Sequence, residues 1–126
     1  MSIEEALKVE HQLIRPIKEK YNDGLIISVI LDCFYGLEFV KQSIQSVIDQ
    51  EYNNVELMLV NNGASKEVTA YLYEIHAKNK NTSLIIFKEN QFSWTDREKP
   101  VTICWNVALY YSKGEVITHL AYDDML

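Results

Sequence analysis

Glycine is scarce in this chain of 126 residues, four in all, and none of the four falls into a phosphate-cradling pattern. No Gly-x-Gly-x-x-Gly follows the first strand-like run and no Gly-x-x-x-x-Gly-Lys occurs, so the backbone loops that hold dinucleotides and triphosphates are missing. Cysteine is scarcer still. Cys33 and Cys104 lack Cys-x-x-Cys spacing and His11, His76 and His119 are scattered, which argues against a zinc site or a disulfide framework. There is no Gly-x-Ser-x-Gly elbow, and no histidine is placed to serve a serine or cysteine triad. Positive charge is in deficit: 12 Lys and Arg against 18 Asp and Glu give a formal net charge of −6, with no basic cluster, so nucleic acid is not an expected partner. No apolar run is long enough for a transmembrane segment, and the charged first residues do not resemble a signal peptide. A cytoplasmic protein is expected, with peripheral membrane contact as the lesser option.

What is present is an alternation of apolar runs and amphipathic stretches, without internal repeat, low-complexity tract or linker. Ser2-Ile3-Glu4-Glu5 fits a capping box, and Ala6, Leu7, Leu13, Ile14 and Ile17 follow at roughly helical spacing. This predicts a helical prefix over residues 1–24, broken at Pro16 and closed by the turn Tyr21-Asn22-Asp23-Gly24, whose use is packing or assembly. Residues 25–31 form a nearly continuous apolar run, as a strand buried on both faces of a parallel sheet should. Leu37, Val40, Ile44, Val47 and Ile48 mark one face of a helix, and residues 55–60 give a second strand stopped by Asn61-Asn62-Gly63-Ala64-Ser65. Ser65 caps a second helix with Val68, Leu72 and Ile75 inward, and residues 83–87 form a third strand. A polar segment over 89–99 precedes a helix opened by Pro100, ended by Lys113-Gly114 and followed by a closing strand from Val116. Strands and helices alternating at this spacing predict an α/β fold, a Rossmann-like, doubly wound and mainly parallel sheet with an extra N-terminal helix.

Such sheets bind ligands beyond the carboxyl ends of their strands. Those ends gather Asp32-Cys33-Phe34-Tyr35, Asn61-Asn62-Gly63 and Tyr122-Asp123-Asp124 into one rim. Taken alone, Asp123-Asp124 reads first as a solvated turn. Beside a nucleotide-sized crevice, an acidic pair also suits a divalent cation that shares its oxygen ligands with a diphosphate. His119, inside a strand pattern, is read as a packed or rim side chain rather than a base. Cys33, with no basic partner nearby in sequence, is read as an inert thiol. Tyr110 and Tyr111 are read as core and surface residues of one helix, not as a sugar platform.

Three segments, Ser28-Val29-Ile30-Leu31-Asp32-Cys33-Phe34-Tyr35, Ser46-Val47-Ile48-Asp49-Gln50-Glu51-Tyr52 and Val55-Glu56-Leu57-Met58-Leu59-Val60-Asn61-Asn62-Gly63-Ala64-Ser65, resemble the start of family 2 glycosyltransferases of the GT-A fold. The likeness resumes at Asn106-Val107-Ala108-Leu109, Lys113-Gly114-Glu115-Val116-Ile117 and Tyr122-Asp123-Asp124, spanning residues 25–126. It implies the nucleotide-sugar-binding part of a GT-A domain, truncated, that takes a nucleoside-diphosphate sugar as donor with Mg²⁺ or Mn²⁺. By position, Asp32 and Phe34 would flank the base and Asn62 would contact it. Asp123 would contact ribose or metal, and Asp124 would be a metal ligand. Cys33, Tyr35, Asn61, Trp105, Asn106 and Tyr122 complete the implied nucleotide-binding set. The ion would neutralise charge developing on the departing nucleoside diphosphate.

Three motifs depart from the family pattern. Asn61-Asn62-Gly63-Ala64 stands where Asp-Asp-Gly-Ser is common, Ala121 replaces the leading acid of Asp-x-Asp-Asp, and Trp105 replaces a basic residue. Family members also continue past the acidic motif into a part that binds the acceptor, a sugar or glycolipid, and carries the general base. That base is expected beyond Leu126, and a fragment of a longer enzyme, inactive by itself, is the favoured reading. The implied setting is polysaccharide or glycoconjugate synthesis, with oligomer formation through the N-terminal helix an option. Two alternatives stand beside it. One is a non-catalytic GT-A-like binding or assembly module, whose chemistry was lost at Asn61, Asn62 and Ala121. The other is a receiver-like domain, which would want acids clustered after the first strand, where only Asp32 stands.

Overall fold

The computed structural model describes residues 2–33, 36–91 and 99–121. Its elements in chain order are α1 (Ile3–Leu7), β1 (His11–Ile14), β2 (Ile27–Cys33), α2 (Leu37–Ile48), β3 (Val55–Asn62), α3 (Lys66–Lys78), β4 (Thr82–Phe87), α4 (Lys99–Tyr111) and β5 (Val116–Ala121). The five strands form one sheet in the order β1-β4-β3-β2-β5. β2, β3, β4 and β5 run parallel, and only β1 is antiparallel, on the outer edge of β4.

Strand alternation distributes the apolar runs to two cores. Val29, Leu31, Leu57 and Leu59 point to one face and pack under α2 and α3, whose buried stripes are Val40, Ile44 and Val47 and Val68, Leu72 and Ile75. Ile30, Met58, Val60, Ile85 and Phe87 point to the other and meet Ala6 of α1 and Ile103, Cys104, Val107 and Ala108 of α4. A central strand in a doubly covered sheet thus needs consecutive apolar residues, which is why β2 and β3 read as nearly continuous apolar runs, interrupted by the mutually bonded Ser28 and Glu56. Leu59 has no exposed surface, and truncating it to Ala would cost about 2–5 kcal/mol. α3 begins where Ser65 accepts the Val68 N–H at 3.3 Å, as the capping signal predicts.

The prefix departs from its helical expectation. Ser2 does cap α1, accepting the Glu5 N–H at 3.1 Å, but the helix ends at Leu7 and His11–Ile14 is a strand. The spacing of Leu13, Ile14 and Ile17 suits one helical face, whereas the edge of β4 offers an unpaired ladder to a strand. Pairing there sends neighbouring residues to opposite cores, Leu13 to the α4 side and Ile14 to the α2/α3 side. Ile17, left over, is 63% exposed. Tertiary pairing has overridden local periodicity.

Side chains of the domain then grip the prefix backbone. Asn81 accepts the Lys20 N–H at 2.7 Å and donates to the Lys20 carbonyl at 2.8 Å. Asn54 does the same to Asn22, at 2.7 Å in both directions. His76 donates to the Arg15 carbonyl at 2.7 Å, and His11 lies 3.0 Å from the Tyr111 hydroxyl. At the amino ends of the strands, buried Glu56 accepts from the Ser28 hydroxyl and the Lys113 N–H, both at 2.7 Å. Gly114 donates to Ser28 Oγ at 2.8 Å, and a Cβ on Gly114 would lie 2.3 Å from that oxygen, so the turn into β5 has room for no side chain.

Candidate functional site

β3 flanks β2 on one side and β5 on the other, so the chain's connections leave β2 in opposite directions. The space between the carboxyl ends of β2 and β5 is therefore the topological switch point of the sheet, where open α/β proteins bind ligands. Asp32 and His119 meet across it. The register pairs Ile30 with His119 and Asp32 with Ala121, and both side chains lie on the α4 side of the sheet. His119 Nε2 donates to Asp32 Oδ2 at 2.8 Å, with the two side chains 24% and 19% exposed. Trp105 of α4 meets the imidazole edge to face, ring centroids 4.7 Å apart at 83°. Trp105 thus packs the switch point from the helix side, with partly buried Asn106 next along the helix. Asp32 Oδ1 is buried and, among the described residues, without a hydrogen-bond partner.

The two asparagines ending β3 take opposite faces. Asn61 turns to the α3 side, where Nδ2 donates to Thr69 Oγ1 at 2.9 Å and Oδ1 accepts the Ala64 N–H at 2.8 Å, closing the turn. Asn62 takes the same face as Asp32. Its Oδ1 accepts the Gln91 N–H at 2.9 Å, and its backbone carbonyl accepts from Asn90 Nδ2 at 2.8 Å. Cys33 is fully enclosed in the α2/α3-side core and Cys104 nearly so under α4. Burial, and after it the neighbouring Asp32 carboxylate, pushes both thiols above the ordinary cysteine range. Both are therefore neutral at physiological pH and poor nucleophiles.

Phe34, Tyr35, Tyr122, Asp123 and Asp124, all expected at the rim, lie outside the described residues. Among the described residues no group of three His, Cys, Asp or Glu side chains is arranged to hold a metal ion, and no helix is long and apolar enough to cross a membrane. A cavity of about 150 Å³ bounded by Val47, Tyr52, Val55 and Asn81 lies at the amino ends of β3 and β4, the wrong end of a parallel sheet for catalysis. Sequence reasoning did not find the pairing of His119 with Asp32, or the parts of Asn90 and Gln91. Residues 87 positions apart carry no local signal of contact.

Comparison with known proteins gives this geometry a context. The chain is 28% identical over 101 residues to an uncharacterized glycosyltransferase of Haemophilus influenzae, a match covering 80% of this chain and 37% of that protein. Its fold is similar to that of S. aureus TarS residues 1–349, with a TM-score of 0.66 at 18% identity over 80% of this chain and 28% of that one. It is also similar to the mannosyltransferase PcManGT of Pyrobaculum calidifontis, solved with GDP-Man and Mn²⁺, with a TM-score of 0.65 at 12% identity over 98% of this chain and 33% of that one. The present sequence thus spans well under half the length of these relatives. The model of glycosyl transferase family 2 matches residues 28–96, more than half of the sequence. A chain whose parallel strands end together at such a switch point, and which that model matches over its first three parallel strands, belongs to glycosyl transferase family 2 and has the GT-A fold.

Proposed function

We propose that this chain is the donor-binding part of a glycosyltransferase that moves a sugar from a nucleoside diphosphate to an acceptor hydroxyl. The observation carrying the proposal is the meeting of Asp32 and His119 on one sheet face at the switch point, in a chain of this family. Residues 25–126 form the binding part and residues 1–24 pack on it as a prefix. In this reading Asp32 and Phe34 lie beside the base, and the Asn62-Gly63 turn bounds the site. Cys33 and Asn61 support the loops from beneath, and Trp105 and Asn106 support β5 from the helix. Tyr35 and Tyr122 belong to the proposed nucleotide-binding set, and the acceptor site and the general base are assigned to residues outside it. Polysaccharide or glycoconjugate synthesis is the setting proposed, on the family likeness alone.

In sequence, Asp123 and Asp124 come after β5 with Tyr122 between, and the strand pairs with β2 so that Ala121 stands opposite Asp32. Two adjacent carboxylates supply hard oxygen ligands, a donor set that fits Mg²⁺ or Mn²⁺ when diphosphate oxygens complete the shell. Asp124 would hold the ion and Asp123 would share it with the ribose. The ion, when bound, supplies positive charge to the leaving diphosphate. PcManGT was solved with GDP-Man and Mn²⁺ and TarS with UDP, which supports a nucleotide sugar as the ligand. A non-catalytic module is the second reading, favoured by the use of the Asn61 amide on Ala64 and on Thr69 of α3. Calorimetry of the full-length protein with UDP and GDP, with and without Mn²⁺, separates the two. Metal-dependent binding supports the transferase, and no binding of either nucleotide contradicts it.

A further inference from the structure

The end of β3 carries a polar arrangement that the donor-binding reading does not need. Asn62 is only 7% exposed, and its side-chain carbonyl is spent on the Gln91 N–H at 2.9 Å. Its backbone carbonyl takes Asn90 Nδ2 at 2.8 Å, and Gln91 Nε2 turns back to the Glu89 carbonyl at 2.7 Å. Gly63 makes the approach possible. It sits at φ 60°, and a Cβ there would lie 2.4 Å from the Asn90 nitrogen and 2.8 Å from its Cα. The chain leaving β4 is thus laid directly across the Asn62-Gly63 turn and hydrogen-bonded to it at two points.

We propose that Asn62 is a positioning residue: its side-chain carbonyl, with the bare backbone of Gly63, latches residues 89–91 to the end of β3 and so sets the rim of the donor site. It acts through Gln91 and not by reading the ligand. The proposal rests on the donor-binding reading only for the consequence of the latch, since the latch itself is read from the backbone. An amide and a carboxylate accept the Gln91 N–H equally well in shape, and the carboxylate more strongly, so an Asp at this position should keep the latch. An Ala should not.

The test uses the full-length protein and two readouts, amide exchange at Gln91 without ligand and UDP affinity in the presence of Mn²⁺. Asn62→Ala is expected to speed exchange at Gln91 about tenfold or more and to weaken UDP about tenfold, the scale of one lost hydrogen bond. Asn62→Asp is expected to restore both to within about threefold of the natural protein. Gly63→Ala, which leaves the Asn62 side chain in place and displaces residues 89–91, should weaken UDP as Asn62→Ala does. The proposal is overturned if Asn62→Ala leaves Gln91 exchange unchanged, or if Gly63→Ala leaves UDP affinity unchanged. It is equally overturned if Asn62→Asp keeps Gln91 protected yet binds UDP as weakly as Asn62→Ala, which would make Asn62 a direct ligand contact through Nδ2. If the natural protein binds no nucleoside diphosphate while Gln91 responds as expected, the latch stands and the donor-binding reading falls.

Discussion

Asp32 gives one carboxylate oxygen to His119 and keeps the other buried without a partner among the described residues. Removing the imidazole would leave both oxygens poorly satisfied, so His119→Phe should destabilise the protein by about 1–3 kcal/mol in urea unfolding. Replacing both partners, with Asp32→Leu added, should recover most of that loss, because no uncompensated charge remains. A double variant as unstable as His119→Phe alone would mean the pair is not the source of the effect. The two thiols give a second expectation. Burial holds Cys33 and Cys104 above their unfolded range, so the folded chain keeps protons that the unfolded chain loses. Stability is then full below the unfolded thiol range near about 8.5 and falls as pH rises above it, by at most about 1.4 kcal/mol per pH unit per thiol. Unfolding measured between neutral pH and pH 10 should show that decline, and Cys33→Ala should reduce its slope by about half, the share of one of the two thiols. Of these residue-scale features, the inert character of Cys33 was legible from its lack of a basic neighbour. The Asp32–His119 contact was not, because it depends on which strand lies beside β2.

At the scale of elements, the parallel strands and their helices were legible because each carries its own signal: nearly continuous apolar runs for β2 and β3, an apolar stripe at helical spacing for α2, a Ser65 cap for α3. The prefix was not, because its apolar residues satisfy a helical period while the unpaired edge of β4 decides their conformation. β1 is held there by its antiparallel ladder to β4, and the chain after it by side chains that imitate a neighbouring strand; Asn81 is the most committed of these, with φ at 57° and hydrogen bonds to both backbone groups of Lys20. Asn81→Ala should therefore cost about 2–4 kcal/mol, from two lost hydrogen bonds and from a left-handed position that Ala tolerates less well than Asn. Asn81→Gly should cost less, since it relieves the backbone term. Equal losses in the two variants, read by urea unfolding, would assign the whole effect to the hydrogen bonds. The carboxyl-end rim was legible only as a set of strand ends. That Asn61 and Asn62 take opposite faces follows from alternation, but that Gln91 returns to Asn62 depends on the path of the chain after β4.

Over the whole molecule, a formal charge of −6 opposes an anionic ligand, and no basic side chain stands beside Asp32 and His119 among the described contacts. A nucleoside diphosphate bound here needs a counter-charge, which a divalent cation at Asp123 and Asp124 would provide. In the full-length protein, replacing both by Asn should abolish the Mn²⁺ dependence of UDP binding and leave the fold intact, as judged by an unchanged urea midpoint. The central claim is that base and diphosphate lie along the switch point between β2 and β5. Its most direct measurement is the anomalous diffraction of Mn²⁺ in crystals of the full-length protein grown with UDP. The account predicts one peak within coordination distance of Asp124 and of the diphosphate, with the base beside Asp32. A peak at any other place, or a nucleotide seated away from the carboxyl ends of β2 and β5, would contradict it.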